Sequence, residues 1–333
     1  MSTFIIAEMS ANHNHNKQIA LDTIKAAKEA GADAVKIQTY TADTITLNCE
    51  NEYFQINQGT LWDGTTLYKL YQQAYTPWEW HQELFDYAKE IGIPMFSTPF
   101  DKTAVDFLEK LNNPIYKIAS FELNDIPLIE YAASKGKPMI MSTGISTLQE
   151  IEEAVTACKK AGNNDITLLK CTSSYPAPLS EANLMTIPDM AKRFDCKVGL
   201  SDHTTGDVGA CTAVALGASV IEKHFIIDRS IGGPDSAFSM NKEEFTQMVK
   251  RIRQTEECLG TVSYELSEKM KSNRKFARSL FACADIKKGE IFTEKNIRSV
   301  RPGDGCSPKF LPELLGKQSN RDYKFGEPII YEK

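Results

Sequence analysis

Between Phe4-Ile-Ile-Ala7 and Ala34-Val-Lys-Ile37 lies a stretch in which Leu21, Ile24 and Ala27 share one helical face, with Gly31 just past its end. Apolar residues at that spacing predict an amphipathic helix, and glycine after the last of them is a common helix stop. The flanking runs are short and apolar, as in parallel strands buried on both faces. Strand, helix and strand make one unit of an α/β fold.

The alternation continues to about residue 225. Pro94-Met-Phe-Ser97, Ile115-Tyr-Lys-Ile118, Pro138-Met-Ile-Met141, Ile166-Thr-Leu-Leu169, Lys197-Val-Gly-Leu200 and Ser219-Val-Ile-Glu222 bring the runs to eight. Eight strand–helix units predict a closed (β/α)₈ TIM barrel in preference to a large doubly wound sheet. The helices carry their own punctuation. Thr76-Pro-Trp-Glu79 reads as a capping box with proline at the first helical position, and Ser146-Thr-Leu-Gln149 as another. Leu148, Ile151, Val155 and Cys158 then share a face, with Gly162 as the stop. Residues 41–75 interrupt the second unit with a long aromatic insertion, of a length that predicts a lid or wall over a functional site.

The texture changes after residue 240. Lys242 to Leu259 reads as a last helix, which puts a barrel domain at 1–260, a charged linker at 261–279 and a small β-rich module at 280–333. Asp285-Ile-Lys-Lys-Gly-Glu290 and Asp322-Tyr-Lys-Phe-Gly-Glu327 repeat one pattern, which predicts a pseudo-symmetric module. At about 50 residues it can bury little by itself and is expected to dock on something.

Composition excludes several functions. Lys+Arg number 38 against 44 Asp+Glu, a net charge of -6 with no basic block, so a nucleic-acid footprint is not expected. No run of about 18 apolar residues predicts a membrane span. Met1-Ser-Thr-Phe lacks the charged start and apolar stretch of a signal peptide. The eight cysteines never form C-x-x-C and read as reduced, mostly buried thiols, so a cytoplasmic protein is expected. Dinucleotide, P-loop, α/β-hydrolase and zincin motifs are all missing from the sequence.

In a barrel, the residues that end the strands line the active-site mouth. Here they are Glu8; Lys36 and Gln38; Thr98; Lys117, Ser120 and Glu122; Ser142 and Thr143; Thr172, Ser173 and Tyr175; Ser201, Asp202 and His203; and Glu222, Lys223 and His224. Lys36 and Lys117 interrupt apolar runs. A buried lysine costs several kcal/mol unless it meets an anion. Either each is paired with a carboxylate, or the two converge on a phosphate or carboxylate ligand with Thr98, Ser120, Ser173 and Ser201. His203 and His224 end the seventh and eighth strands. They form a pair for a divalent metal, weak and exchangeable with two protein ligands, or one is catalytic or core and the other unrelated. His81 is expected to pack or be solvated, and His13 and His15 to belong to a polar loop.

Ala7-Glu-Met-Ser-Ala-Asn-His13, Gly31-Ala-Asp-Ala-Val-Lys-Ile-Gln-Thr39, Phe96-Ser-Thr-Pro-Phe100, Tyr116-Lys-Ile-Ala-Ser120, Ser142-Thr-Gly144, Gly199-Leu-Ser-Asp-His203 and Glu222-Lys-His-Phe225 together resemble the sialic acid synthase (NeuB) family. The tail, from Phe276-Ala-Arg-Ser-Leu280 through Ser299-Val-Arg-Pro-Gly303 to Leu315-Gly-Lys317, resembles that family's antifreeze-like (SAF) domain. Leu61-Trp-Asp63, Leu67-Tyr68, Thr76-Pro-Trp-Glu-Trp-His81 and Cys171-Thr-Ser-Ser-Tyr-Pro176 are most similar to the family's pseudaminic acid branch. Sialic acid synthases proper usually carry asparagine at the place of Ser173, and the family commonly has a small residue at that of His15.

The resemblance implies condensation of phosphoenolpyruvate with the open-chain aldehyde of an acetamido sugar, in this branch 2,4-diacetamido-2,4,6-trideoxy-L-altrose, with release of phosphate. It implies that Lys36, Thr98, Lys117, Ser120, Ser142, Ser173 and Ser201 hold phosphoenolpyruvate. His203 and His224 would bind Mn²⁺, Co²⁺ or Mg²⁺, whose Lewis acidity would serve the aldehyde. Glu8, Tyr175 and Asp235 would face the sugar, with Glu8 orienting either water or sugar hydroxyls, and Gln38 would also bind substrate. Arg301 would reach the site of the partner in a domain-swapped homodimer. N-acetylneuraminate or legionaminate synthesis is the nearest alternative. A metal-dependent aldolase and a non-catalytic carbohydrate- or ice-binding protein are more remote ones.

Overall fold

The computed structural model describes residues 2–57, 59 and 61–331; Gln58 and Thr60 of the insertion and Glu332 and Lys333 of the tail module lie outside them. The chain divides into two compact units, Met1–Gly260 and Thr261–Lys333.

The first unit is a closed barrel of eight parallel strands in chain order: β1 (Phe4–Glu8), β2 (Ala34–Thr39), β3 (Met95–Pro99), β4 (Tyr116–Ile118), β5 (Met139–Ser142), β6 (Ile166–Cys171), β7 (Lys197–Asp202) and β8 (Val220–His224). It closes where β8 pairs with β1, with Glu8 opposite His224. Successive side chains on a strand point to opposite faces. Ile5, Ala7, Val35, Ile37, Leu168 and Ile221 accordingly join the surrounding helices in one large core. Ile6, Ala34, Phe96, Ile140, Leu169 and Val220 form a separate apolar plug inside the barrel. Two residues further along those six strands stand Glu8, Lys36, Thr98, Ser142, Cys171 and Glu222. The pleat that fills the barrel with hydrocarbon therefore crowns it with polar groups.

The helix Lys17–Glu29 ends with Gly31 at φ +89°, as its sequence predicts. The two other helix starts differ from expectation. Thr76 caps nothing: its hydroxyl is 3.1 Å from His13 Nε2, a single 3₁₀ turn covers Trp78–Trp80, and the α-helix begins at His81. The second box lies one residue later, with Thr147 capping Leu148–Lys160 and Glu150 reaching back. Ile151, Val155 and Cys158 of that helix are buried, but Leu148 is exposed. The insertion folds into the helices Ala42–Ile45 and Leu67–Ala74. Of the eight cysteines, all free, only Cys158 and Cys171 are buried; Cys258 is exposed and the others are half-buried. The expectation of mostly buried thiols fails because most of them sit on helix flanks or in the small second unit. No helix among the described residues is long and apolar enough to cross a membrane.

In the second unit β9 (Ser279–Ala282) pairs antiparallel with β10 (Ile297–Val300). Leu280, Ile286, Phe292, Ile297, Tyr323 and Ile329 supply its core. The repeated pattern forms a reciprocal clasp. Lys287 Nζ lies 3.1 Å from Asp322 and Lys324 Nζ 3.0 Å from Asp285, with Ile286 bridged to Tyr323 between them. These ion pairs are solvent-exposed and contribute little to stability. Backbone N–H groups of Lys288 and Phe325 donate to the same two carboxylates, which fixes the turns.

Candidate active site

At the polar crown, Lys36 Nζ lies 2.6 Å from Glu8 Oε2, 3.1 Å from Thr98 Oγ1 and 4.0 Å from Glu222 Oε1. Lys117 Nζ is 3.3 Å from Glu222 Oε1, to which Ser201 also donates at 3.2 Å. All are buried. Both lysines thus have carboxylate partners, yet those partners do not exhaust the cluster. Glu222 Oε2 and Ser142 Oγ are buried without a hydrogen bond in the protein, as are Glu122 Oε2 and His224 Nδ1. Buried polar atoms are nearly always satisfied, so several orphans at one barrel mouth mark a ligand site.

Burial dominates the protonation of these groups, and the local charges decide its outcome. Burial pushes the Glu8 carboxyl up, with the charge of Glu222 adding and Lys36 opposing. For Glu222, burial is overcome by Lys117 and Lys36, which hold it below the usual carboxylate range. Burial lowers Lys117 against the pull of Glu222, whereas Lys36 is raised because Glu222 and Glu8 outweigh burial. Burial lifts Glu122, just past β4, to about 7 against the pull of Lys117.

Ser120 and Ser173 meet over Gly144, whose N–H donates to Ser120 Oγ at 3.0 Å. A Cβ on Gly144 would stand 2.1 Å from Ser173 Oγ, 2.7 Å from Ser120 Oγ and 3.0 Å from Cys171 Sγ. Only glycine leaves these hydroxyls room to converge. Cys171 Sγ is also 3.7 Å from His203 Nδ1.

His203 and His224 have ring centroids 5.4 Å apart. His203 Nδ1 is 3.0 Å from the Thr172 carbonyl, which can only accept, so Nδ1 carries a proton. His224 is half-buried, with its Nδ1 buried and unpartnered, and desolvation of the ring together with the charge of His203 holds its pKa well below the ordinary value. Two imidazoles side by side, one with an orphaned ring nitrogen and one anchored through Nδ1, suit a divalent metal. Among the described residues no cluster of three or more His, Cys, Asp or Glu offers a fuller protein cage.

An aromatic wall rises beside the histidines. Tyr175 lies 4.3 Å from His203 and 4.9 Å from Phe238, Phe238 is 5.0 Å from His224, and Trp62 of the insertion is 5.7 Å from Tyr175. A polar chain also reaches the mouth: Gln38 donates to Glu8 Oε1 at 3.0 Å and to Ser10 at 3.1 Å, and Ser10 donates to Asp235 at 2.5 Å.

Of the residues singled out in the sequence, the barrel brings together Glu8, Lys36, Gln38, Thr98, Lys117, Ser120, Ser142, Ser173, Tyr175, Ser201, His203, His224 and Asp235. Arg301 follows β10 in the second unit and is exposed. His13 and His81 are fully buried, and His81 packs between Thr39 and Pro77. Gly144 and Cys171 stand in motifs that carry the family resemblance, which assigns them no role, and Phe238 carries no sequence signal of its own. Glu122 and Glu222 stand among the strand-end residues, but their partners become evident only in three dimensions.

Residues 23–264 match the NeuB family and residues 277–333 the SAF domain. The chain belongs to the NeuB family. As a NeuB-family member it is 51% identical over 326 residues to the pseudaminic acid synthase of Campylobacter jejuni, covering 98% of this chain and 95% of that protein. It is 39% identical over 331 residues to the N,N'-diacetyllegionaminic acid synthase of the same organism, covering 98% of each. The crystal structure of the N-acetylneuraminic acid synthetase of Leptospira borgpetersenii, in complex with citrate, superposes with a TM-score of 0.73 at 31% identity, covering 82% of this chain and 90% of that one.

Proposed function

We propose that this NeuB-family protein is a pseudaminic acid synthase, which joins phosphoenolpyruvate, 2,4-diacetamido-2,4,6-trideoxy-L-altrose and water into pseudaminic acid and releases phosphate. The observation that carries this reading is the 51% identity to a pseudaminic acid synthase, against 39% to a legionaminic acid synthase from one organism. The site chemistry supports it. Lys36, Lys117 and the hydroxyls of Thr98, Ser120, Ser142, Ser173 and Ser201 suit an anion carrying phosphate and carboxylate. Held there, phosphoenolpyruvate presents its vinyl carbon to the acceptor in a fixed orientation.

Carbon–carbon bond formation leaves cationic character at the second carbon of phosphoenolpyruvate. Water adds there, and the tetrahedral product expels phosphate by C–O cleavage. Glu222, ionised between the two lysines, lies where it can oppose that positive charge. Tyr175, Gln38 and Asp235 orient the sugar, and Glu8 accepts from Gln38 in the chain that runs through Ser10 to Asp235. His203 and His224 would hold a divalent metal (Mn²⁺, Co²⁺ or Mg²⁺), which supplies Lewis acidity to the aldehyde.

In this reading residues 1–260 are the catalytic domain, 261–279 the linker and 280–333 the antifreeze-like module. The protein works as a cytoplasmic homodimer in which Arg301 of one chain completes the sugar site of the other. The test is incubation with the altrose sugar and phosphoenolpyruvate labelled with ¹⁸O at the bridging oxygen. A nonulosonic acid should form with equimolar phosphate that carries the label. Unlabelled phosphate, or equal turnover when pyruvate replaces phosphoenolpyruvate, would overturn the proposal in favour of P–O cleavage or an aldolase.

A further inference from the structure

Beside each of the paired histidines stands a charged residue facing away from the barrel interior. Asp202 precedes His203 at the end of β7, Lys223 precedes His224 at the end of β8, and the register sets Asp202 opposite Lys223. Alternation turns Glu222 and His224 inward and Lys223 outward, into the layer where Leu200 and Ile221 pack with apolar neighbours. Asp202 and Lys223 are each only 2% exposed there. A charged pair in such a layer loses more hydration than its attraction returns unless its hydrogen bonds are complete.

They are complete. Lys223 Nζ lies 2.7 Å from Asp202 Oδ2, 3.0 Å from the Gly206 carbonyl and in hydrogen-bond contact with the Thr204 carbonyl, so all three ammonium donors are used. Asp202 Oδ1 accepts from Thr204 N at 2.9 Å and from Thr204 Oγ1 at 2.8 Å. The pair thereby ties down the backbone that leaves His203. Ala177 N holds the His203 carbonyl at 2.9 Å and the Thr172 carbonyl holds its ring, so both the backbone and the ring of this residue are anchored. The following helix, Val208–Ala215, presses Gly209 onto the clasp: a Cβ there would stand 2.9 Å from Thr204 Oγ1 and 3.3 Å from Asp202 Oδ1.

We infer that the Asp202–Lys223 pair is a positioning device that fixes the spacing of the His203 and His224 imidazoles. Two apolar residues would fill the same layer, but would leave the 203–206 backbone untied. The inference rests on the metal role proposed for the two histidines.

The test is Co²⁺ binding to the full chain without substrates, read by absorption, alongside phosphoenolpyruvate affinity by calorimetry. Wild type should bind Co²⁺, and His203→Ala and His224→Ala should not. The double variant Asp202→Leu/Lys223→Met removes both charges together, so no lone buried charge remains. It should fold and keep its phosphoenolpyruvate affinity while its Co²⁺ dissociation constant rises about ten- to a hundredfold, the usual loss when outer supports of metal ligands are removed. Gly209→Ala keeps both charges, should shift Co²⁺ binding in the same direction, and decides the matter alone if the double variant does not fold. Wild-type Co²⁺ affinity in the deciding variant overturns the inference. So does a matching loss of phosphoenolpyruvate affinity, which would make the pair a general support of the barrel mouth. Absence of Co²⁺ binding in wild type overturns the metal role itself and the inference with it.

Discussion

Lys117 Nζ and Glu222 Oε1 lie 3.3 Å apart although their strands, β4 and β8, stand on opposite sides of the barrel. The pair spans the floor of the mouth, out of solvent. Removing one member of such a pair strands a buried charge. Glu222→Gln should therefore lower stability by about 3–5 kcal/mol. Inorganic phosphate should restore more thermal stability to this variant than it adds to wild type, because an anion can replace the missing carboxylate. Equal phosphate shifts in a thermal-melt series would contradict this role.

Glu122 has a carboxyl near 7 for want of solvent and of a partner for Oε2. A carboxyl of that pKa is suited to removing a proton at neutral pH, and general bases contribute about 10²–10⁴-fold. The expected kcat/KM rises as Glu122 ionises through about pH 7. Glu122→Gln should lose the rising limb and about a hundredfold or more of activity. A variant with an unaltered pH profile would remove Glu122 from the reaction.

Gly144 leaves room for Ser120 and Ser173 to converge, and nothing larger fits. Gly144→Ala should raise the KM for phosphoenolpyruvate by about tenfold or more, a loss of about 1.4 kcal/mol. Its unfolding temperature should change little, because the clash falls on side chains at the mouth. An unchanged KM in steady-state kinetics would show that Ser120 and Ser173 do not hold the ligand.

His13 and His81 set an acid limit on the fold. Burial lowers His13 to about 3 and His81 to about 4. The backbone N–H of His15 already donates to His13 Nδ1, and His81 is enclosed between the Thr39 hydroxyl and the Pro77 carbonyl, out of solvent. Because both folded values lie below the unfolded value near 6.5, the unfolded chain binds protons that the folded one refuses. Stability is fully present above about pH 6.5 and falls as pH drops toward 4, by about 3 kcal/mol for His81 alone. Denaturant unfolding between pH 7 and 4.5 should show this slope, and His81→Gln should flatten it. Identical slopes in the two proteins would rule the effect out.

The barrel was legible because its eight runs are short, apolar and separated by helical periodicity. The same pleat rule carries Lys36, Lys117, Ser142 and Ser201 to the mouth, since each stands in phase with the inward side chains of its run. Which carboxylate meets which lysine was not legible: Glu222 and Lys117 are 105 residues apart in the chain and meet only because the barrel closes. Thr76 misled the helix start because its hydroxyl bonds His13, a tertiary contact that no local pattern encodes. Cys171 passed for a core residue by type, although it ends β6 on the inner face. Gly144 gave no sign of its role, which depends on two serines from other loops.

Acceptor choice separates a pseudaminic acid synthase from its relatives. Phosphate release from phosphoenolpyruvate should be measured with the altrose sugar, the legionaminic acid precursor and N-acetylmannosamine under one set of conditions, with Mn²⁺ supplied. A kcat/KM for 2,4-diacetamido-2,4,6-trideoxy-L-altrose well above that for either competitor is expected of a pseudaminic acid synthase. Equal or greater efficiency with N-acetylmannosamine or the legionaminic acid precursor would contradict the assignment while leaving the NeuB-family barrel intact.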